Sequence, residues 1–274
     1  TLLRDVPECP GLRGRVAPRS LPPSAHVLPP APEPHPLSIF PARPLILGHR
    51  GAPRQAPENT LAAFRLALEQ GADGVELDVQ PSGDGVAVVI HDDTLQRTTD
   101  AAGAIPMLPW ERIAAARARG EPVPRLEEAA RWAAETGAWL NVEIKSSGAE
   151  AAALVAVREA GIMERAFFSS FLPEVVAEVG RLDPEATRCF LTERWNDQVR
   201  ATAARLEVHG VCLKDRIATA AVLAELRAKG LAVVVWTVDD ARRIAALLRA
   251  GVQAVITNQP AVGAGVRREI FARE

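Results

Sequence analysis

From residue 44 onward, short apolar runs alternate with longer stretches whose apolar positions recur at helical spacing. The short runs fall at 45–49, 74–79, 86–91, 139–144, 166–170, 187–191, 209–213, 232–237 and 253–257 and read as strands. Helical spacing covers 59–70, 125–136, 149–160, 173–181, 195–205, 217–229, 239–250 and 262–272. The first helix has an Asn59 or Thr60 cap, and several helical stretches stop at a glycine just before the next apolar run, as at Gly71, Gly161, Gly230 and Gly251. Strictly alternating strands and helices predict a parallel sheet.

Nine strands are one too many for a closed barrel of this kind. The run at 86–91 follows 74–79 after only Gln80 to Gly85, whereas a parallel crossover takes a dozen residues or more. It is therefore expected to be a hairpin partner, turned at Ser82-Gly-Asp-Gly85. The remaining eight strands and eight helices predict an α/β fold, a TIM (β/α)8 barrel with a β-hairpin and a small insertion after strand 2. That insertion, residues 92–124, carries Gly103, Pro106 and Pro109 and a short helix near Trp110 to Arg119. It is expected to cover part of the barrel mouth.

The domain plan is then a barrel over 44–274 preceded by an arm over 1–43. The arm holds half of the 22 prolines, including Pro22-Pro23 and Pro29-Pro30, and supports neither helix nor ladder. It reads as extended and disordered, with His26 and His35 solvated. At 274 residues and 48% hydrophobic content the chain can bury one large core. Its formal charge of -2 leaves no basic footprint for nucleic acid. Cys9, Cys189 and Cys212 are too dispersed for a zinc site or a disulfide framework. There is no apolar run long enough for a transmembrane segment and no secretory pattern at the start. The expected location is cytoplasmic, although the chain opens on Thr1 rather than Met, which leaves an upstream segment open. Nothing in the pattern specifies an oligomeric state.

Charged residues inside the strand runs carry the chemistry. Side chains at i and i+2 share a face, so Glu76 and Asp78 point one way, and Glu143 and Lys145 likewise. A parallel barrel strand has no solvent face, so three acids on one side call for a positive partner. Oxygen ligands favour Mg²⁺, Ca²⁺ or Mn²⁺ over Zn²⁺. His49, at the end of the first strand, and His91 are candidate acid and base, since imidazole titrates near neutrality. Arg50 offers a bidentate fork for a phosphodiester and Lys145 a point charge. Glu58 serves either a helix N-terminus or a contact to Arg50 or the metal, and His209 reads as structural.

These residues also carry a resemblance. His49-Arg-Gly51, Pro57-Glu-Asn-Thr60, Glu76-Leu-Asp78, His91-Asp92, Thr94-Leu-Gln-Arg-Thr-Thr99, Asn141-Val-Glu-Ile-Lys145, Ser169-Ser-Phe171, Val235-Trp-Thr-Val238 and Ile256-Thr257 resemble, in order, the motifs of the glycerophosphodiester phosphodiesterase family. The resemblance spans roughly 44 to 260. It implies hydrolysis of a small glycerophosphodiester to sn-glycerol 3-phosphate and an alcohol, a divalent cation on Glu76, Asp78 and Glu143, and an apolar wall for the glycerol backbone at Trp236, with Ser170 and Phe171 near the mouth. Two departures bear on substrate preference: Asn258 stands where the family usually has Asp, and Asp239, a presumed helix-cap exchange, where it often has Asn. A lysophospholipase D-type or lyase activity on the same barrel, and a non-catalytic phosphate-binding barrel, stay open. So do the order of acid and base and the choice of water or the substrate's 2-hydroxyl as nucleophile.

Overall fold

The computed structural model describes residues 39–272. The expectations for Cys9, His26, His35 and the body of the proline-rich arm lie outside the described residues. The strands are β1 (Leu45–His49), β2 (Gly74–Pro81), β3 (Ala87–Val89), β4 (Arg117–Ala118), β5 (Glu121–Pro122), β6 (Trp139–Ile144), β7 (Ala166–Ser170), β8 (Arg188–Thr192), β9 (Gly210–Lys214), β10 (Ala232–Trp236) and β11 (Ala254–Thr257). The helices are α1 (Leu61–Glu69), α2 (Trp110–Ala114), α3 (Leu126–Thr136), α4 (Glu150–Glu159), α5 (Pro173–Leu182), α6 (Asp197–Arg205), α7 (Ala220–Ala228), α8 (Ala241–Arg249) and α9 (Pro260–Phe271).

Eight parallel strands close on themselves, because β1 pairs with both β11 and β2 and the ladder runs on through β6, β7, β8, β9 and β10. A helix follows each of them, as the alternation requires. β3 pairs antiparallel with the outer end of β2, Val79 opposite Val89, so the extra strand is the predicted hairpin.

The period of two divides each strand between two cores. Leu45, Leu47, Phe167, Cys189, Leu191, Cys212, Val234 and Ile256 point inward and fill the barrel, while Val75, Leu77 and Val79 pack outward against Phe64 and Trp132. Phe40, just ahead of β1, closes the floor, stacked on Trp139 at 6.1 Å and edge-on to Phe167 at 5.3 Å between ring centroids. The apolar filling stops at the C-terminal ends of the strands, where the inward positions become polar. Both described cysteines are free and buried, as expected.

Two local expectations need correction. The insertion helix ends at Ala114 rather than near Arg119, because Arg119 and Gly120 both take positive φ, 49° and 91°, the two-residue turn that folds β4 onto β5. The cap of α8 is Asp240, whose side chain accepts from the Arg243 amide. Asp239 is therefore not a helix cap. Thr60 is the cap of α1, accepting from Ala63 N, which leaves Asn59 free for another task.

Phe167 is fully buried on the barrel floor. Phe167→Ala is expected to cost about 3–5 kcal/mol of stability, read from the urea midpoint; a loss under about 1 kcal/mol would mean that the floor layer is not packed as described.

Candidate active site

β1 ends in Gly48-His49-Arg50-Gly51, a turn tight enough to specify its glycines. Arg50 takes φ 56° and Gly51 90°. A Cβ at Gly48 would meet the Gly51 carbonyl oxygen at 2.3 Å, and one at Gly51 the Ala63 carbonyl carbon at 2.6 Å. The left-handed Arg50 costs about 1 kcal/mol or more, and the turn it makes brings the Arg50 amide to Glu76 Oε2 at 3.0 Å.

Register then assembles the acids. β2 and β6 place Glu76 beside Asn141 and Asp78 beside Glu143, all on the inward face. Glu76, Asp78 and Glu143 are buried and offer oxygens within 4.8 Å of one another. Arg50 Nε stands 3.0 Å from Asp78 Oδ2, and Lys145 Nζ lies 2.7 Å from Glu143 Oε1 and 3.5 Å from Asp78 Oδ1. Asn59 donates to Asp78 Oδ2 at 2.8 Å and accepts from the Asp78 amide. Two cations thus face three acids, and the balance remains negative.

The electrostatics follow. Burial, then Asp78 and Glu143, pushes the Glu76 carboxyl well above the ordinary carboxylate range. Burial and Asp78 likewise raise Glu143, to about 7, against the pull of Lys145. Burial opposes charge on Lys145 and Arg50, yet their acidic neighbours outweigh it and hold both pKa values above normal. Glu76 Oε1 and Asp78 Oδ1 are buried with no hydrogen-bond partner, an arrangement that costs stability unless a cation fills it. The donor set, hard carboxylate oxygens alone, fits a divalent cation.

His49 and His91 both line the mouth and are held differently. His49 Nδ1 is 2.7 Å from Asn258 Oδ1, and its Nε2 is 3.9 Å from Glu76 Oε2. Burial and the neighbouring Arg50 lower its pKa despite the bond to Asn258. His91 Nδ1 is 2.6 Å from Asp92 Oδ1. Arg97 clamps Asp92 with two N–H groups and Glu58 with two more, and Glu58 accepts from Arg50 at 2.9 Å. Of the two readings left open for Glu58, the contact to Arg50 is the one found.

A cavity of about 250 Å³ opens at the strand ends, lined among others by His49, Arg50, Glu76, His91, Glu143, Lys145 and Trp236. Of the eight site residues expected from sequence, seven reach this cavity; Asp78 is fully buried beside it, against Arg50 and Asn59. Trp236 donates to the Cys212 carbonyl at 3.3 Å and packs edge-on to Phe171. Asn141, Leu191, Glu193 and Ile256 also line the cavity. Asn141, Leu191 and Ile256 share the inward parity of their strands, which is the sequence signal that marks them, and Glu193 follows directly on β8. Arg97 and Asn59 sit in loops, where parity gives no signal. His209 accepts from the Arg188 amide, the structural role expected of it.

The profile of the Glycerophosphoryl diester phosphodiesterase family matches residues 49–262. The chain belongs to that family. A glycerophosphodiester phosphodiesterase of Caldanaerobacter subterraneus is 32% identical over 234 residues, covering 79% of this chain and 94% of the relative. Among solved structures of this glycerophosphodiesterase family, an Oleispira antarctica phosphodiesterase in complex with the product sn-glycerol-3-phosphate has a TM-score of 0.75 at 29% identity, over 84% of this chain and 98% of that one. A glycerophosphodiester phosphodiesterase of Agrobacterium tumefaciens has a TM-score of 0.73, also at 29% identity, over 81% and 99%. No helix among the described residues is long and apolar enough to cross a membrane.

The raised Glu143 gives a pH prediction. Between its unfolded value of 4.5 and about 7, the folded metal-free protein holds a proton that the unfolded chain has released, so this group's contribution to stability falls as pH rises. Glu143→Gln is expected to match the wild type in urea midpoint at acid pH and to exceed it above neutrality, both without metal. A wild-type advantage above neutrality would contradict the assignment.

Proposed function

We propose that the chain hydrolyses glycerophosphodiesters to sn-glycerol 3-phosphate and an alcohol, with Glu76, Asp78 and Glu143 holding one divalent cation and His49 and His91 exchanging protons. One observation carries the reading: a single cavity joins Glu76 and Glu143, with Asp78 buried directly beside them, to two basic groups and two imidazoles anchored through Nδ1. Family membership makes the reaction class that of a phosphoric diester hydrolase, and the product in the Oleispira complex names the half of the substrate that is retained.

Arg50 and Lys145 face the place where the anionic phosphoryl group must lie. Their charge, added to that of the cation, meets negative charge building on the non-bridging oxygens. A cation on the three carboxylates would supply Lewis-acid polarisation, and Mg²⁺, Ca²⁺ and Mn²⁺ suit the oxygen donors.

The different hydrogen-bond partners of the two histidines support one order of roles. His91 Nδ1 is backed by the Asp92 carboxylate and His49 Nδ1 by the neutral amide of Asn258. His49 is then the base that takes the proton of the nucleophile, water or the substrate's 2-hydroxyl, and His91 the acid that protonates the leaving alkoxide. Trp236 and Phe171 form the apolar wall for the glycerol backbone. No broad apolar surface flanks the mouth among the described residues, where Phe171 is the one exposed large hydrophobic lining the cavity, so acyl-chain substrates are not favoured.

Purified protein is expected to release glycerol 3-phosphate from glycerophosphocholine with Mg²⁺ or Ca²⁺ and to stop with EDTA. His49→Ala and His91→Ala should each lower kcat by about 10²-fold or more. Release that survives EDTA, or full turnover in either variant, would contradict the proposal.

A further inference from the structure

We infer that Asp239, acting through Asn258, fixes the tautomer of His49 and is a positioning residue for the reaction. The inference rests on His49 being the base. Asp239 lies just beyond β10 and Asn258 just beyond β11, so neighbouring strands deliver both to the mouth beside β1. Relieved of any capping duty by Asp240, Asp239 spends its carboxylate on the β11 terminus. Its Oδ1 accepts from Thr257 Oγ1 at 3.1 Å and from the Asn258 amide at 2.8 Å; its Oδ2 accepts from Asn258 Nδ2 at 2.9 Å and Arg54 Nη2 at 2.8 Å.

Donors and acceptors run one way along this chain of bonds. An ionised carboxylate only accepts, so the Asn258 side chain must turn its NH₂ towards Asp239. Its Oδ1 is then the atom that meets His49 Nδ1, and an amide oxygen also only accepts. The proton of neutral His49 is thereby placed on Nδ1, leaving the Nε2 lone pair on the side of Glu76 and the cavity. One charge, two side chains away from the reacting atoms, selects the form of imidazole that can act as base. The neutral amide between them does this without setting a carboxylate against the ring.

The two single exchanges break the order in different ways. Asp239→Asn removes the acceptor-only group, so Asn258 is free to turn over, donate to Nδ1 and leave the proton on Nε2. Asn258→Asp keeps an acceptor for His49 but sets two carboxylates against each other. The double exchange D239N/N258D restores donor and acceptor order along the path to His49: residue 239 donates its amide and residue 258 accepts from both sides, while the exposed Arg54 loses its acceptor. A residue that only props the loop would leave the His49 tautomer unchanged when exchanged.

The test combines kinetics with ¹⁵N NMR of protein labelled at histidine, in which the His49 signals are assigned by their loss in His49→Gln. At alkaline pH the wild type is expected to show the proton on Nδ1, and Asp239→Asn to gain the Nε2–H form. Each single variant should lose about tenfold to hundredfold in kcat, as outer-layer partners of functional histidines do, with KM little changed, and the double exchange should recover most of it. A wild-type His49 protonated on Nε2 would overturn the inference, as would an Asp239→Asn variant unchanged in both tautomer and kcat. The NMR arm needs no turnover, so a protein inactive on every diester would sink the proposed function while the tautomer assignment is still decided.

Discussion

Three carboxylates buried within reach of one another repel, and the mouth of this barrel is built around that repulsion. Glu76, Asp78 and Glu143 cannot all be ionised in a dry site without compensation. Arg50 and Lys145 supply part of it and Asn59 supplies hydrogen bonds, yet two buried oxygens remain without a hydrogen-bond partner. Three acids against two bases leave one negative charge. A divalent cation reverses the sign, and a phosphodiester, itself a monoanion, then meets a site of matching charge. The features that destabilise the empty cluster are the ones that suit it to cation and substrate.

The fold meets this constraint through register. Because β2 and β6 run parallel with Asp78 opposite Glu143, alternation alone delivers all three acids to one side, while Val75, Leu77 and Val142 anchor the same strands to the helices. A slip of one residue would exchange these sets. The floor of aromatic and aliphatic side chains keeps the lower barrel apolar and the polar layer confined to the top. The insertion is tied in by charge: Arg97 bridges Asp92, which backs His91, to Glu58, which holds Arg50. The surroundings of His91 and of Arg50 are thus parts of one ion-pair network.

Much of this was legible in the chain. Regular alternation gave the barrel, and the short separation between the second and third apolar runs gave the hairpin. Charged residues at alternate positions in otherwise aliphatic strands, such as Glu76, Asp78, Glu143 and Lys145, have no bland explanation in a parallel sheet, which is why they stood out. Loop residues were less readable. Asn59 and Thr60 are equally good caps by type, and only the backbone shows that Thr60 caps α1 while Asn59, at φ 57°, latches Asp78. Asp239 and Asp240 pose the same ambiguity, resolved in favour of Asp240. The links made by Arg97, Asp92 and Asn258 join segments far apart in sequence, and no periodicity encodes them.

The chemistry of the site turns on the carboxylate trio being able to hold a cation. Titration of Mn²⁺ into metal-free protein, followed by electron paramagnetic resonance of the free ion, measures it most directly. The account predicts one Mn²⁺ per chain, displaced by Mg²⁺ and lost in Asp78→Asn. No binding by the wild type, or binding that Asp78→Asn leaves unchanged, would contradict it.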